Sequence, residues 1–292
     1  MDIVGLTGAY PWLVWTVAGI LGLTVGSFLN VVIYRLPVML ERQWKQQCQE
    51  LLAAGADTAV AERFNLVVPR SRCRHCGHGI SALENIPVVS YLWLRGRCAH
   101  CKTAISPRYP AVELLTGLLS AGLAWHFGAH GATLAALVLL WALIAATFID
   151  IDHQLLPDDI TLPLLWMGLL VNQYGLFADL ASAVIGAVAG YLSLWSIFHI
   201  FKWLTGKEGM GYGDFKLFAA AGAWLGWQML PLIILLASFA GAVIGLAFIA
   251  LKGRDRRLPI PFGPFLCVGI LVALVWGDAL VAAYLQFARV TV

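Results

Sequence analysis

The chain has 292 residues, 60% of them hydrophobic and only 12% charged, with 12 Trp and a formal net charge of +3. Apolar residues gathered in long runs between short polar joints exclude a water-soluble domain and a disordered tail, and predict an all-α polytopic membrane protein. No aromatic-basic platform accompanies the positive charge, so no nucleic-acid partner is expected.

The apolar runs predict about eight spans, at residues 11–34, 111–127, 132–149, 160–177, 180–201, 215–229, 231–251 and 264–287. The first has no basic residues before it and no small-residue cleavage site after it, so it is expected to be a retained span and not a removable signal. Connections 35–110, 150–159, 202–214 and 252–263, with Lys216 at the mouth of the sixth span, carry 18 of the 19 Lys and Arg residues. Cytoplasmic loops retain such residues, so these connections are expected to face the cytoplasm, with both termini outside. Three parts follow: a first helix at 1–34, a cytoplasmic domain at 35–110, and a seven-helix membrane domain at 111–292.

The domain at 35–110 holds 11 Lys and Arg against five acids, a surface suited to anionic lipid headgroups. Within it stand "CRHC" (Cys73, Cys76) and "CAHC" (Cys98, Cys101). Two such knuckles can offer four thiolates tetrahedrally to one Zn2+, and a reducing cytoplasm disfavours disulfides. A closed four-thiolate site has no open position for substrate, so the metal is expected to fold the domain. His75, His78 and His100 are ranked below the thiolates, as solvated neighbours. Gly96, in a turn between the pairs, either shapes the knuckle or lets a ligand approach the backbone. Cys48, on the amphipathic segment "ERQWKQQCQELLAAG", and Cys267, in the last span, are expected to be packed.

Farther along, "FIDIDHQLLPDD" places four aspartates at the end of the uncharged third span. Asp158 and Asp159, just ahead of the fourth span, are expected to cap its helix, Asp159 above all. Asp150 is the first polar group where the third span leaves the membrane, and Asp152 points elsewhere around the helix. A second acid, Asp214 in "GKEGMGYGDFKLF", stands at the same boundary on another helix, either as an N-cap followed by a snorkelling Lys216 or as a site residue. Gly206, Gly209, Gly211 and Gly213 make the preceding loop open to close backbone approach, though its spacing is not that of a phosphate-binding loop. Two carboxylates in a low-dielectric site cannot both ionise readily and share a proton, which is the chemistry of an aspartic protease. Asn30 in the first span is expected to hydrogen-bond between helices. Glu113, at the start of the second, could serve function or packing.

At this point the residues carry a family resemblance. "GYGDFKLF" resembles the GxGD signature of intramembrane aspartyl proteases, and "FIDIDHQLLPD" the first catalytic segment of type IV prepilin leader peptidases. "GSFLNVVIYRLP", the paired cysteines, "SPRYPAVELLTG" and "PIPFGPFL" fall in the order of the bifunctional bacterial members. The resemblance implies cleavage of the basic leader of type IV prepilins and type II secretion pseudopilins, after a glycine, at the cytoplasmic face of the bacterial inner membrane. It further implies methylation of the new N-terminal residue, commonly Phe, with S-adenosylmethionine. Carried onto this chain, the catalytic pair is Asp150 and Asp214, with Gly211, Gly213, Asp152, Asp158 and Lys216 in support. Methyl transfer is linked to the four-cysteine domain. There is no dinucleotide fingerprint there, and Gly96 is the candidate methyl-donor residue.

Two other readings compete. A Mg2+-dependent prenyl- or phospho-transferase would use Asp150, Asp152, Asp158 and Asp159 to chelate a diphosphate. A proton-coupled transporter would need charged residues deeper within its spans than these.

Overall fold

A computed structural model describes residues 10–52, 64–252 and 260–288. Among the described residues, eight helices of 14 residues or more occupy the places the apolar runs predict. The described residues divide into two compact units, one ending at Ala129 and the other beginning at His130.

The first unit is built on α1 (Pro11–Leu52), the short α2 (Val89–Trp93) and α3 (Arg108–Phe127). Helices α1 and α3 lie against one another because small residues let their backbones approach. A Cβ added at Gly22 would lie 2.5 Å from the Ser120 Oγ, and one at Gly26 only 2.8 Å from the Glu113 Cα. Asn30 Nδ2 donates to the Tyr109 carbonyl at 3.1 Å, the interhelical bond its depth suggested. Helix α1 does not stop at residue 34, and Pro37 lies inside it. Beyond Pro37 the chain is rich in Glu, Gln, Arg and Lys, good helix formers that need no burial. Cys48 on this extension is exposed, as are Leu51 and Leu52, so the expectation that Cys48 is packed is corrected.

The four-cysteine segment docks on α1 through arginines. Arg35, buried, donates to the carbonyls of Asn65 at 2.9 Å and Pro69 at 2.7 Å, and the Arg74 guanidinium stacks 3.8 Å from the Tyr34 ring centroid. Glu113, also buried, accepts from the Val88 N–H at 2.8 Å, tying α3 to the segment that enters α2.

The second unit comprises α4 (Gly131–His153), α5 (Asp158–Asn172), α6 (Leu180–Thr205), α7 (Tyr212–Leu225), α8 (Leu230–Lys252) and α9 (Gly263–Phe287). Helix α7 is its centre: from Asp214 to Leu225 every residue but Lys216 is buried, packed by α5, α6 and α9. Glycines set the α6–α7 contact, since a Cβ on Gly190 would fall 2.6 Å from the Phe218 carbonyl oxygen. Asn172 ends α5 with all its hydrogen-bonding capacity used. It donates to the Ala223 and Trp224 carbonyls at 2.9 and 2.8 Å, otherwise orphaned at the end of α7, and accepts from the Phe177 and Ala178 N–H groups at 3.1 Å each.

Among the described residues, five helices are long and apolar enough to cross a membrane: α1, α4, α6, α8 with the turn before it, and α9. Helices α5 and α7 have 15 and 14 residues. They reach only about 21 to 23 Å, short of a bilayer core of about 30 Å. The fourth run stops at Asn172, with Gly175 at φ +62° in the turn beyond it, and the sixth stops at Gly226, at φ +79°.

Candidate active site

Asp150 and Asp214 are each 6% exposed, both within the second unit. Asp150 occupies the last turn of α4, which continues to His153. Its Oδ2 accepts from the N–H of Gly263, the first residue of α9, at 3.1 Å. An α-helix leaves its first N–H groups unpaired, so the start of α9 offers a donor where Asp150 needs one.

Asp214 is not the N-cap of α7. Gly211 holds that position in an extended conformation, and Asp214 is the third residue of the helix, reaching back to accept from the Gly211 N–H at 3.2 Å. This is the carboxylate half of a capping box. The aromatic rings of Tyr191, Phe198, Tyr212 and Phe215 pack edge-on or tilted around the start of α7 and fix it against α6. Asp214 Oδ1 is buried and has no hydrogen-bond partner among the described residues. An unpaired buried acceptor costs about 1–3 kcal/mol, and native folds retain few of them.

Leu156, on the link between α4 and α5, holds the two sides together. A Cβ on Gly213 would lie 2.6 Å from the Leu156 Cβ, and one on Gly263 only 3.1 Å from its Cδ1 and 2.6 Å from the Asp150 Oδ2. Glycine at 213 and 263 therefore lets the starts of α7 and α9 close on the link that follows Asp150. Gly263 lies in the "PIPFGPFL" stretch that carried the family resemblance, whereas Leu156 carried no signal in the sequence.

The other aspartates part company with the pair. Asp158 and Asp159 do not cap α5: Pro157 is the N-cap, and the two acids lie in the first turn, where they face the positive end of the helix dipole. Asp158 instead receives the Lys216 ammonium at 2.6 and 2.7 Å, a contact that links the first turns of α5 and α7. Lys216 thus has a protein partner in place of the expected membrane interface. Asp152 and Asp159 are exposed, so the four acids do not converge as a diphosphate-binding metal site would require.

In the first unit the cysteine knuckles are near copies of each other. Cys73 N–H bonds to the His78 carbonyl and Gly77 N–H to the Cys73 carbonyl; Cys98 N–H bonds to Thr103 and Lys102 N–H to Cys98. Gly77 and Lys102, at equivalent places, have φ of +72° and +59°. The four Sγ atoms lie within 4.8 Å of one another, Cys73 to Cys101 at 3.8 Å, and none is in a disulfide. Zn–S bonds of about 2.3 Å set tetrahedral sulfur–sulfur edges of about 3.8 Å, so the donor set fits such an ion. Hydrogen bonds from the Thr103 hydroxyl and backbone pull the Cys101 thiol down to about 5, whereas burial and the neighbouring thiols push Cys76 up to about 11. His78 and His100 stack on each other outside this cluster, and His78 faces Glu84 at 3.6 Å. Gly96, at φ +67°, turns the chain into the second knuckle, and a Cβ there would meet the Tyr91 hydroxyl at 2.9 Å.

Comparison with known proteins matches residues 20–127 to the bacterial peptidase A24 N-terminal domain and residues 137–246 to the type IV leader peptidase family. A prepilin leader peptidase/N-methyltransferase of Stutzerimonas stutzeri is 58% identical over 92% of this chain and 93% of its own length. Proteins of the same name from Aeromonas hydrophila, 55% identical over 96% of this chain and 97% of their own, and Legionella pneumophila, 48% over 95% and 96%, are also similar. No solved structure matches.

Proposed function

The chain belongs to the type IV leader peptidase family, and on that premise we propose that Asp150 and Asp214 are the catalytic pair of its aspartic endopeptidase. The enzyme cleaves the leader from prepilins and methylates the N-terminus so exposed. The observation that carries the assignment is a pair of buried carboxylates, each accepting a backbone N–H at a helix start, the two starts closing on the same residue, Leu156, with one oxygen of Asp214 unpaired among the described residues. One carboxylate, ionised, takes a proton from water as that water attacks the scissile carbonyl. The other, protonated, gives its proton to the carbonyl oxygen. Collapse of the tetrahedral intermediate breaks the C–N bond, and the amine leaves with a proton from the pair. Asp214 Oδ1, without a donor among the described residues, is suited to hold the shared proton or the water.

Support comes from Gly211, which orients Asp214, from Gly213, which admits Leu156, and from the Asp158–Lys216 bridge; Asp152 stands exposed beside the pair. The basic connections support a position for the pair at the cytoplasmic face of the bacterial inner membrane, where the basic leader of a prepilin or pseudopilin would remain. The extended backbone before Asp214 can hydrogen-bond an unwound substrate strand. Cys73, Cys76, Cys98 and Cys101 would hold a structural Zn2+, which would close the two knuckles. S-adenosylmethionine supplies the methyl group when bound. Gly96 contributes to that half of the enzyme through the turn it makes against Tyr91.

The test incubates detergent-purified protein with a prepilin and isotope-labelled S-adenosylmethionine and reads product masses. A shortened pilin carrying one labelled methyl group is expected. Cleavage without label would remove the methyl-transfer half, and intact prepilin would remove both.

A further inference from the structure

The four-cysteine segment carries an apolar surface that neither the metal nor the mechanism above uses. Leu83, Ile86, Val89, Leu92 and Trp93 are all exposed, Trp93 at 77%. Exposed apolar side chains gathered in this way mark an interaction site. We propose that residues 83–93 lie in the membrane interface, with these side chains at the boundary of headgroups and acyl chains and with Arg95 and Arg97 on anionic lipid phosphates. The inference does not depend on the proteolytic reading of Asp150 and Asp214.

Depth is the first argument. Helix α1 has no charged residue before Arg35. Gly26 packs on α3 at Glu113, where an added Cβ would lie 2.8 Å from the Glu113 Cα, and it precedes Arg35 by nine residues. Nine residues of helix cover about 13 Å, and the interface on each side of a bilayer core is only about 5 to 8 Å thick. Glu113 accepts the Val88 N–H at 2.8 Å. Even with the Glu113 side chain leaning towards the start of α3, as helical side chains do, the entry to α2 is drawn to the apolar side of Arg35. Leu114, Leu115 and Leu118, which follow Glu113 in α3, are exposed, so the patch continues an apolar surface that starts at the same level.

Construction is the second. Val88 has φ +60°, a conformation that a β-branched residue rarely adopts, and the bond to Glu113 holds it there. Tyr91 packs inwards on Gly96, where an added Cβ would meet its hydroxyl. With Tyr91 fixed on that side, Val89, Leu92 and Trp93 are left on the open one.

Charge is the third. From residue 85 to Arg97 there is no acid. Glu84, just before, is engaged by the Ser81 N–H at 2.8 Å and faces His78 at 3.6 Å. Arg95 and Arg97 are exposed and follow the end of α2. An apolar segment that ends in Trp and then Arg suits a membrane–water boundary carrying anionic headgroups.

The experiment places the photoreactive benzoylphenylalanine, one position at a time, at Leu92, Trp93, Leu118 and Gln46 of the full chain. Each protein is reconstituted in vesicles of phosphatidylethanolamine and phosphatidylglycerol, irradiated, and read for adducts by mass. Gln46, exposed on the extension of α1 and about 16 Å beyond Arg35, is the aqueous control, and Leu118 the lipid-facing one. Lipid adducts at Leu92 and Trp93 are expected to match those at Leu118 and to exceed those at Gln46 about tenfold. At Trp93 they should favour phosphatidylglycerol beyond its share of the vesicle, and Arg95→Gln with Arg97→Gln should remove that excess. Absence of lipid adducts at both positions while Leu118 gives them, or adducts there to a second copy of the chain, overturns the proposal. No excess, or one that survives both substitutions, overturns the part given to the arginines.

Discussion

Replacing Gly263 by Ala perturbs the active site through a single methyl group. Gly263 is the first residue of α9 and does not have a positive φ, so alanine is conformationally acceptable there and by itself would not weaken the helix. The added Cβ would, however, lie 2.6 Å from Asp150 Oδ2 and 3.2 Å from its Cγ. Restoring a contact of about 3.0 to 3.4 Å requires the carboxylate to retreat by roughly 0.4 to 0.8 Å, and a misplacement of about 1 Å can cost 100-fold in rate. Leu156 Cδ1, 3.1 Å from the same methyl, blocks one way out. The expected result is a fall in kcat of about 10- to 100-fold with KM little changed, since substrate binding does not depend on the exact seat of Asp150. Gly131→Ala, at the start of α4 with nothing within 4 Å, is the control and should cleave as wild type. Cleavage is followed by gel shift or mass on a purified prepilin in detergent. A Gly263→Ala enzyme within a factor of two of wild type would refute the reasoning that Asp150 is held by the start of α9 for catalysis.

Cys73→Ser or Cys98→Ser should lower bound zinc, measured by elemental analysis, and impair methyl transfer; wild-type protein without zinc would contradict the knuckle assignment. Asn172→Leu strands two N–H groups and two carbonyls around the end of α7. It should cost about 3 kcal/mol or more, seen as a fall in Tm of roughly 6 to 12 °C. Lys216→Met removes the bridge to Asp158, whose side chains are 26% and 55% exposed. Partly solvated pairs contribute about 0–1 kcal/mol, so Tm should move little while cleavage falls severalfold.

The helical architecture was legible because apolar runs of membrane length have few alternatives, and the cysteine spacing because metal ligation constrains spacing directly. Asp150 and Asp214 could be singled out as the acids that stand at one boundary on two different helices. What connects them was not legible. The Gly263 N–H reaches Asp150 across 113 positions and Lys216 reaches Asp158 across 58; nothing local in either stretch marks such a pairing. Asp158 and Asp159 were misplaced by one turn position because Pro157 takes the cap, a choice set by backbone geometry that capping preference alone does not decide. Asn172 passed unremarked, since its value lies in four hydrogen bonds made only once α5 and α7 have packed. Cys48 was misread for the converse reason: an amphipathic pattern shows a face suited to burial and does not supply the partner.

The central claim is that two carboxylates act together, and cleavage of a prepilin by Asp150→Asn and Asp214→Asn, each purified in detergent and checked for folding, tests it most directly. An amide keeps the shape of the side chain but cannot ionise or share a proton. The expected result is intact prepilin with either variant, while a shortened pilin supplied ready-made is still methylated. Full cleavage by either variant would contradict the pair.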